Sequence, residues 1–297
     1  MAQITAADVK KLREMSGAGM MDCKKALAAC DGDIDAAVDY LRTHGLAAAS
    51  KKAGRVASEG MVVALADGDH GVVIEVNAET DFSSKNETFT SFVNSVAALA
   101  LAKKPADLEA LKALDLNGTS VQDTLTKLIA TIGENMAIRR YELAEVKGGV
   151  VSAYVHGGGK IGVLVGISGG NNEALQELGR GVAMHVAAVN PQYINRNQVS
   201  EDAVERERAV LTERAAGSGK PAEIIDKIVT GQMSKFYSEV CLLEQAYVMN
   251  GDLTVGKAVQ AVQADAEVVI VHRFQLGEGI EKKESDFAAE VAAQING

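Results

Sequence analysis

The feature that most constrains the fold of this chain is that its middle is written twice. Residues 60–77 (GMVVALADGDHGVVIEVN) alternate in a β-forming pattern around Asp67-Gly68-Asp69, which predicts a hairpin. Residues 148–167 (GGVVSAYVHGGGKIGVLVGI) do the same around Gly157–Lys160. A helical stretch follows each hairpin, and each is stopped ahead of a proline, Pro105 or Pro191. The landmarks keep step: Gly60 to Gly149 is 89 residues, Gly71 to Gly162 is 91, and Pro105 to Pro191 is 86. FVNSVAALALAKKP (92–105) and LGRGVAMHVAAVNP (178–191) align without a gap. Two related αβ halves with antiparallel sheets follow, as from a duplication.

The halves differ most between hairpin and helix. The first has ETDFSSKNE (79–87) and the second the blander SGGNNEA (168–174). Ala78–Asn86 is polar except for Ala78 and Phe82. An aromatic in such a loop is either packed beneath its own loop, the commoner arrangement, or offered to a partner. Beyond it, Phe89, Phe92, Val93 and Val96 mark the apolar face of a helix to about Lys103. One elaborated connection on a duplicated scaffold points to that connection as the functional one.

Residues 1–54 read as a small helical module. Thr5 and Asp8 start a helix through about Met15, a second covers Met20–Ala29, and Asp33 caps a third over Ile34–His44 with Gly45 just past its end. Val9, Leu12, Leu27, Ile34, Ala37, Val38 and Leu41 supply the facing stripes, too few to stand without docking elsewhere. Asp31, Asp33 and Asp35 imitate a calcium loop, but Ala36 and Arg42 replace its glycine and its glutamate, so capping is the better account. Ala47–Arg55 reads as a basic linker. Helices are expected over Asp107–Leu114 and Ser120–Ile132. From Ser200 the β pattern stops: Glu201–Ala215 and Pro221–Tyr237 form an antiparallel helical hairpin. Its seam is expected from Val204, Val210, Leu211, Ile224, Ile225, Ile228 and Met233. Strands are expected again at Glu239–Val248 and Ala266–Leu276, and a tail helix at Ser285–Gln294. The resulting domain layout is 1–54, 55–140, 141–199, 200–237 as an insertion, 238–276 and 277–297.

A length of 297 residues asks for more than one core. The net charge of −10 argues against a nucleic-acid binder. No apolar run approaches a membrane span of about 18 residues, and MAQITAADVKKLRE lacks the apolar centre of a signal peptide, so a cytoplasmic protein is expected. Cys23, Cys30 and Cys241 fit a reducing compartment, with Cys23 and Cys30 as small core residues.

Catalytic motifs are scarce. GGGKIG (157–162) has the letters of a dinucleotide loop but lies between two strands, and Ile161 follows Lys160 where a phosphate loop needs Ser or Thr. No two of His44, His70, His156, His185 and His272 stand at metal-ligand spacing, and no metal or cofactor is expected. His156, before the glycine turn, should be exposed.

Two long stretches, SGAGMMDCKKAL (16–27) and EVNAETDFSSKNETF (75–89), resemble the bacterial translation elongation factor Ts family. TIGENMAIRR (131–140), HGGGKIGVLV, VAMHVAA and the tail DFAAEVAAQ (286–294) agree, in one order from end to end. The resemblance implies an α+β fold: an N-terminal three-helix, ubiquitin-associated-like module, a core of two αβ subdomains, an inserted coiled-coil hairpin and a short C-terminal helical module. It further implies a guanine nucleotide exchange factor that binds elongation factor Tu. Thr80, Asp81, Phe82 and Ser83 would then help dislodge the magnesium that holds GDP, with Met20, Met21 and His156 as further interface. Ser83 departs from the family's usual valine. No cofactor, nucleic acid or membrane enters that role, and the helical hairpin could pair two copies. Two other readings compete: a small-molecule enzyme joining His156 to nearby carboxylates, and a structural oligomer built through the hairpin.

Overall fold

The computed structural model describes residues 4–217 and 221–281. Of the turn that the sequence places at Gly217–Pro221, residues 218–220 lie outside the described residues, as does the tail helix expected over 285–294.

The chain opens with α1 (Ala6–Ser16), α2 (Met20–Ala29) and α3 (Ile34–Lys52). Thr5 and Asp8 close a reciprocal capping box, and Gly17 ends α1 in the left-handed region (φ 69°). Asp33 accepts the Ala36 N–H at 3.0 Å, which is the capping role expected of it. Val9, Leu12, Cys23, Ala26, Leu27 and Ala37 are the buried centre of the module. Cys30 is only half-buried, at the end of α2, so just one of the paired cysteines is a core residue.

The third helix does not stop at His44. It runs through Gly45 and the supposed linker to Lys52, because 46–49 (LAAA) are strong helix formers. Gly45 faces α7 (Val121–Ile132): a Cβ there would make an ordinary van der Waals contact, 3.7 Å from that of Ala130. Arg42 reaches Asp123 at 3.5 Å, and the Thr131 hydroxyl donates to the Gly17 carbonyl at 3.2 Å. The thin three-helix core therefore rests on α7.

β1 (Glu59–Asp67), β2 (His70–Ala78) and β3 (Met136–Glu145) form one sheet in that order. The third strand was not expected. Its alternation is masked by Arg139 and Arg140, which bind the fully buried Glu75 of β2 at 3.0 and 2.6 Å. Burial pushes the Glu75 carboxyl up, but the Gly277 N–H, both arginines and Asn77 outweigh it and hold the group below the usual range.

Two short helices, α4 (Asp81–Ser84) and α6 (Leu108–Ala113), flank α5 (Glu87–Lys103). Phe89, Phe92, Val93 and Val96 of α5 are buried, as their spacing predicts.

β4 (Val150–His156) pairs antiparallel with β5 (Ile161–Ser168), in register from Val150↔Ile167 to His156↔Ile161. β8 (Glu267–Gln275) completes this second sheet in the order β4-β5-β8. Over it lies α8 (Glu173–Val189), whose Leu175, Val182 and Val186 meet Val150, Val163 and Ile167.

The strand expected over 239–248 does not form. α10 (Ala222–Val240) continues, a 3-10 turn covers Leu242–Glu244, and only β6 (Ala246–Tyr247) pairs, with β7 (Asn250–Thr254). The backbone donors of Leu242 and Leu243 go to the carbonyls of Tyr193 and Ile194, which leaves no ladder to join. A further helix, α11 (Val255–Val262), was not expected either.

Helix α9 (Glu201–Ala216) packs against α10 through Leu211, Ala215, Val229 and Met233, with Val204, Ile225 and Ile228 beside them. Val210 and Ile224 do not belong to that seam and are exposed, each standing one residue, about 100° of helix, away from it. By contact the described residues group into two compact units, one of 4–62, 75–140 and 275–281 and one of 63–74 and 141–274.

Candidate functional site

Strand β2 ends at Ala78, and the chain then makes a single helical turn, α4, before Asn86 caps α5. Thr80 starts the turn: its backbone is extended, and its hydroxyl accepts the Ser83 N–H at 3.2 Å. Asp81 binds Lys85 one turn later at 2.7 Å, and that hydrogen bond holds its carboxyl below the usual range. Ser83 is buried beneath the turn, so a side chain there meets this protein's own interior.

Phe82 points the other way and is 83% exposed. The commoner arrangement for a loop aromatic, packing under its own segment, does not hold here. The short turn explains it: with Ser83 facing inward and Thr80 capping, the two positions between them, Asp81 and Phe82, are left facing water.

The turn is held from behind by a segment that carries no local motif of its own. Gly133 ends α7 in the left-handed region (φ 89°) and reverses the chain. Glu134, next in line, accepts the Thr80 N–H at 3.1 Å and the Thr80 hydroxyl at 2.8 Å. In return, Glu79 accepts the Asn135 N–H at 2.5 Å, and the Asn135 side chain donates to the Arg55 carbonyl at 2.7 Å. Arg55 and Glu79 stand 3.5 Å apart. The signal for this segment was the GEN of TIGENMAIRR, legible only as part of the resemblance.

The other sequence-derived positions are dispersed. Met20 and Met21 open α2 and are 60% and 63% exposed. His156 ends β4, is exposed, and its Nδ1 faces the Tyr154 hydroxyl at 3.0 Å. The partner found for His156 is thus a phenol, where the enzyme reading needs a carboxylate. The glycine turn beside it has φ of 61°, 66° and 95° at Gly157, Gly158 and Gly159 and joins two strands, so no helix N-terminus is available there to a pyrophosphate. Among the described residues no group of His, Cys, Asp and Glu is arranged to hold a metal ion, and no helix is long and apolar enough to cross a membrane.

Buried His185 of α8 is structural. It faces the Gln245 carbonyl oxygen at 2.9 Å through Nε2 and accepts the Val248 N–H at 3.2 Å through Nδ1. Burial holds its pKa below the usual 6.5, against the opposing pull of the Gln245 bond.

The fold and this site define an α+β protein headed by a ubiquitin-associated module, and residues 4–41 match the family model of the UBA/TS-N domain. Residues 79–278 match the model described as elongation factor TS. Curated relatives agree over almost the whole chain. Elongation factor Ts of Magnetococcus marinus is 54% identical over 99% of both chains. That of Syntrophotalea carbinolica is 54% identical, covering 98% of this chain and 99% of its own. That of Rhizobium meliloti is 51% identical over 99% of both. The chain belongs to the elongation factor Ts family and is a translation elongation factor.

Proposed function

We propose that the protein is a guanine nucleotide exchange factor that binds elongation factor Tu carrying GDP and speeds GDP release by disturbing the magnesium and phosphate site. Thr80, Asp81, Phe82 and Ser83 form the element directed at that site, and Met20, Met21 and His156 widen the contact. Asp81 and Phe82 meet the partner, while Thr80 and Ser83 shape the turn that carries them. The role involves no covalent chemistry and no cofactor. The protein is then a binding catalyst of exchange and not an enzyme, working in the cytoplasm beside its partner.

One observation carries this reading: a phenylalanine 83% exposed at the tip of a turn tied down from behind. Burying such a side chain is worth about 2–3 kcal/mol, which the chain by itself leaves unrealised. A partner pocket that forms only when the magnesium site loosens would convert that energy into nucleotide release. Accelerating release about a thousandfold to ten-thousandfold needs roughly 4–5.5 kcal/mol of preference for the loosened state. An aromatic anchor supplies about 2–4 kcal/mol, so the remaining contacts must add to Phe82. By linkage, the factor by which the protein lowers the equilibrium affinity for GDP is the factor by which bound GDP lowers the affinity for the protein.

The test is release of a fluorescent GDP from elongation factor Tu, with and without this protein, across magnesium concentrations. Acceleration that shrinks as magnesium rises is the expected result. No acceleration at any concentration, with no complex formed, would overturn the reading.

A further inference from the structure

We propose that Glu134 is a positioning residue for this site: its carboxylate fixes the Thr80 turn and thereby keeps Phe82 projecting. The functional side of this inference rests on the exchange reading above; the structural side does not.

Both Glu134 oxygens are committed to one residue. One accepts the Thr80 N–H and the other its hydroxyl. The same hydroxyl accepts the Ser83 N–H, so Glu134 orients the atom that closes α4. An ionised carboxylate is the acceptor-only group this needs, since both Thr80 hydrogens point at it. The link is doubled by the exchange of neighbours, Glu79 taking the Asn135 N–H while Glu134 takes that of Thr80. Asn135 is itself buried, which anchors the far end of the clamp. A free turn of four residues would be marginal, because a first helical turn fixes several dihedrals for one hydrogen bond. The clamp removes that freedom before any partner arrives, so ordering the turn does not weaken binding.

Glu134 is only half-buried, so its replacement should leave a folded protein. The experiment uses the full chain with Glu134→Ala, Glu134→Gln, Phe82→Ala and the double variant of Glu134→Ala with Phe82→Ala. Amide hydrogen exchange is read first. In Glu134→Ala the Thr80 and Ser83 amides should exchange at least about tenfold faster, while Thr90 in α5 keeps its rate. Glu134→Gln should fall between, because its amide nitrogen cannot accept a hydrogen bond. Stimulated GDP release is read second. Glu134→Ala should lower it in the wild-type background and have little effect once Phe82 is gone. Unchanged exchange at Thr80 and Ser83 would overturn the clamp whatever Phe82 does. An equal loss of GDP release with and without Phe82 would overturn positioning through Phe82. Unchanged release in Phe82→Ala would overturn the part given to Phe82, and absence of stimulation by the unaltered protein would sink the exchange reading, with the amide rates still deciding the clamp.

Discussion

The β2-to-α5 and β5-to-α8 connections set out from the same plan. Each leaves a hairpin strand and enters a 17-residue helix capped by an asparagine, Asn86 or Asn172. Each helix ends in a left-handed residue before a proline, Lys104 (φ 48°) or Asn190 (φ 53°). Between those points they diverge. In the second, Gly169 and Gly170 take positive φ, and Gln263 pins the segment by bonding the Gly169 carbonyl and the Asn172 side chain. In the first, Thr80–Lys85 builds an extra turn that is held at its base and carries an exposed aromatic. One copy of the scaffold closes its connection with glycines, and the other uses the same opening to display a side chain. On the exchange reading, function comes from what is inserted in the scaffold, not from the scaffold itself.

The largest effect that would sharpen this contrast is on Phe82. Phe82→Ala should reduce stimulated GDP release by about 2–4 kcal/mol in activation, at least tenfold, while unfolding stability moves by no more than about 0.5 kcal/mol. A stability loss of several kcal/mol in a denaturant titration would mean that Phe82 packs in solution, and the contrast between the connections would disappear.

Next comes a position where the two helices cannot be exchanged. In the ungapped alignment Val93 of α5 matches Gly179 of α8. A Cβ at Gly179 would sit 2.4 Å from the Ser152 hydroxyl oxygen and 3.0 Å from its Cβ. Gly179→Val should therefore cost about 2–3 kcal/mol in urea unfolding, through overpacking of α8 against β4. A neutral result would show that the α8–β4 contact can open, and that the two halves tolerate the same side chain there.

The same alignment puts Leu99 opposite His185. His185→Leu strands the Gln245 oxygen and the Val248 N–H and should cost about 2 kcal/mol near neutral pH. It should also change the acid response. With a folded pKa below 6.5, His185 takes up its proton more readily in the unfolded chain, so its contribution to stability is complete above about pH 6.5 and is lost as pH falls through the window beneath it. His272, also lowered by burial, acts in the same direction. Melting temperature against pH from 5 to 8 should show a slope that is reduced, not abolished, in His185→Leu.

The smallest effect concerns the helix ends. Lys104→Asn, copying Asn190, should raise stability by about 0.5 kcal/mol, since asparagine tolerates the left-handed region better than lysine. Thermal melting of the single variant decides it. A loss instead would show that Lys104 is held by something its counterpart lacks.

Much of this protein was determined by sequence alone, wherever the physics is local. A capping residue and its amide partner lie three residues apart, a hairpin turn needs only its own glycines, and a proline stops the helix before it. Thr5 with Asp8, the Gly157–Gly159 turn and the matched ends at Pro105 and Pro191 were therefore legible, and so was the duplication they punctuate. The tertiary structure decided what depends on distant partners. The helix α3 finds its support on α7, where Arg42 reaches Asp123, and β3 is a strand because Glu75, 64 residues before Arg139, neutralises its arginines. Residues 239–248 leave the sheet because their donors find Tyr193 and Ile194. At the candidate site, sequence marked Phe82 as out of place but left its direction open. The turn decided that direction, and the turn is bonded to Glu134, 54 residues beyond Thr80, through hydrogen bonds whose geometry no local pattern encodes.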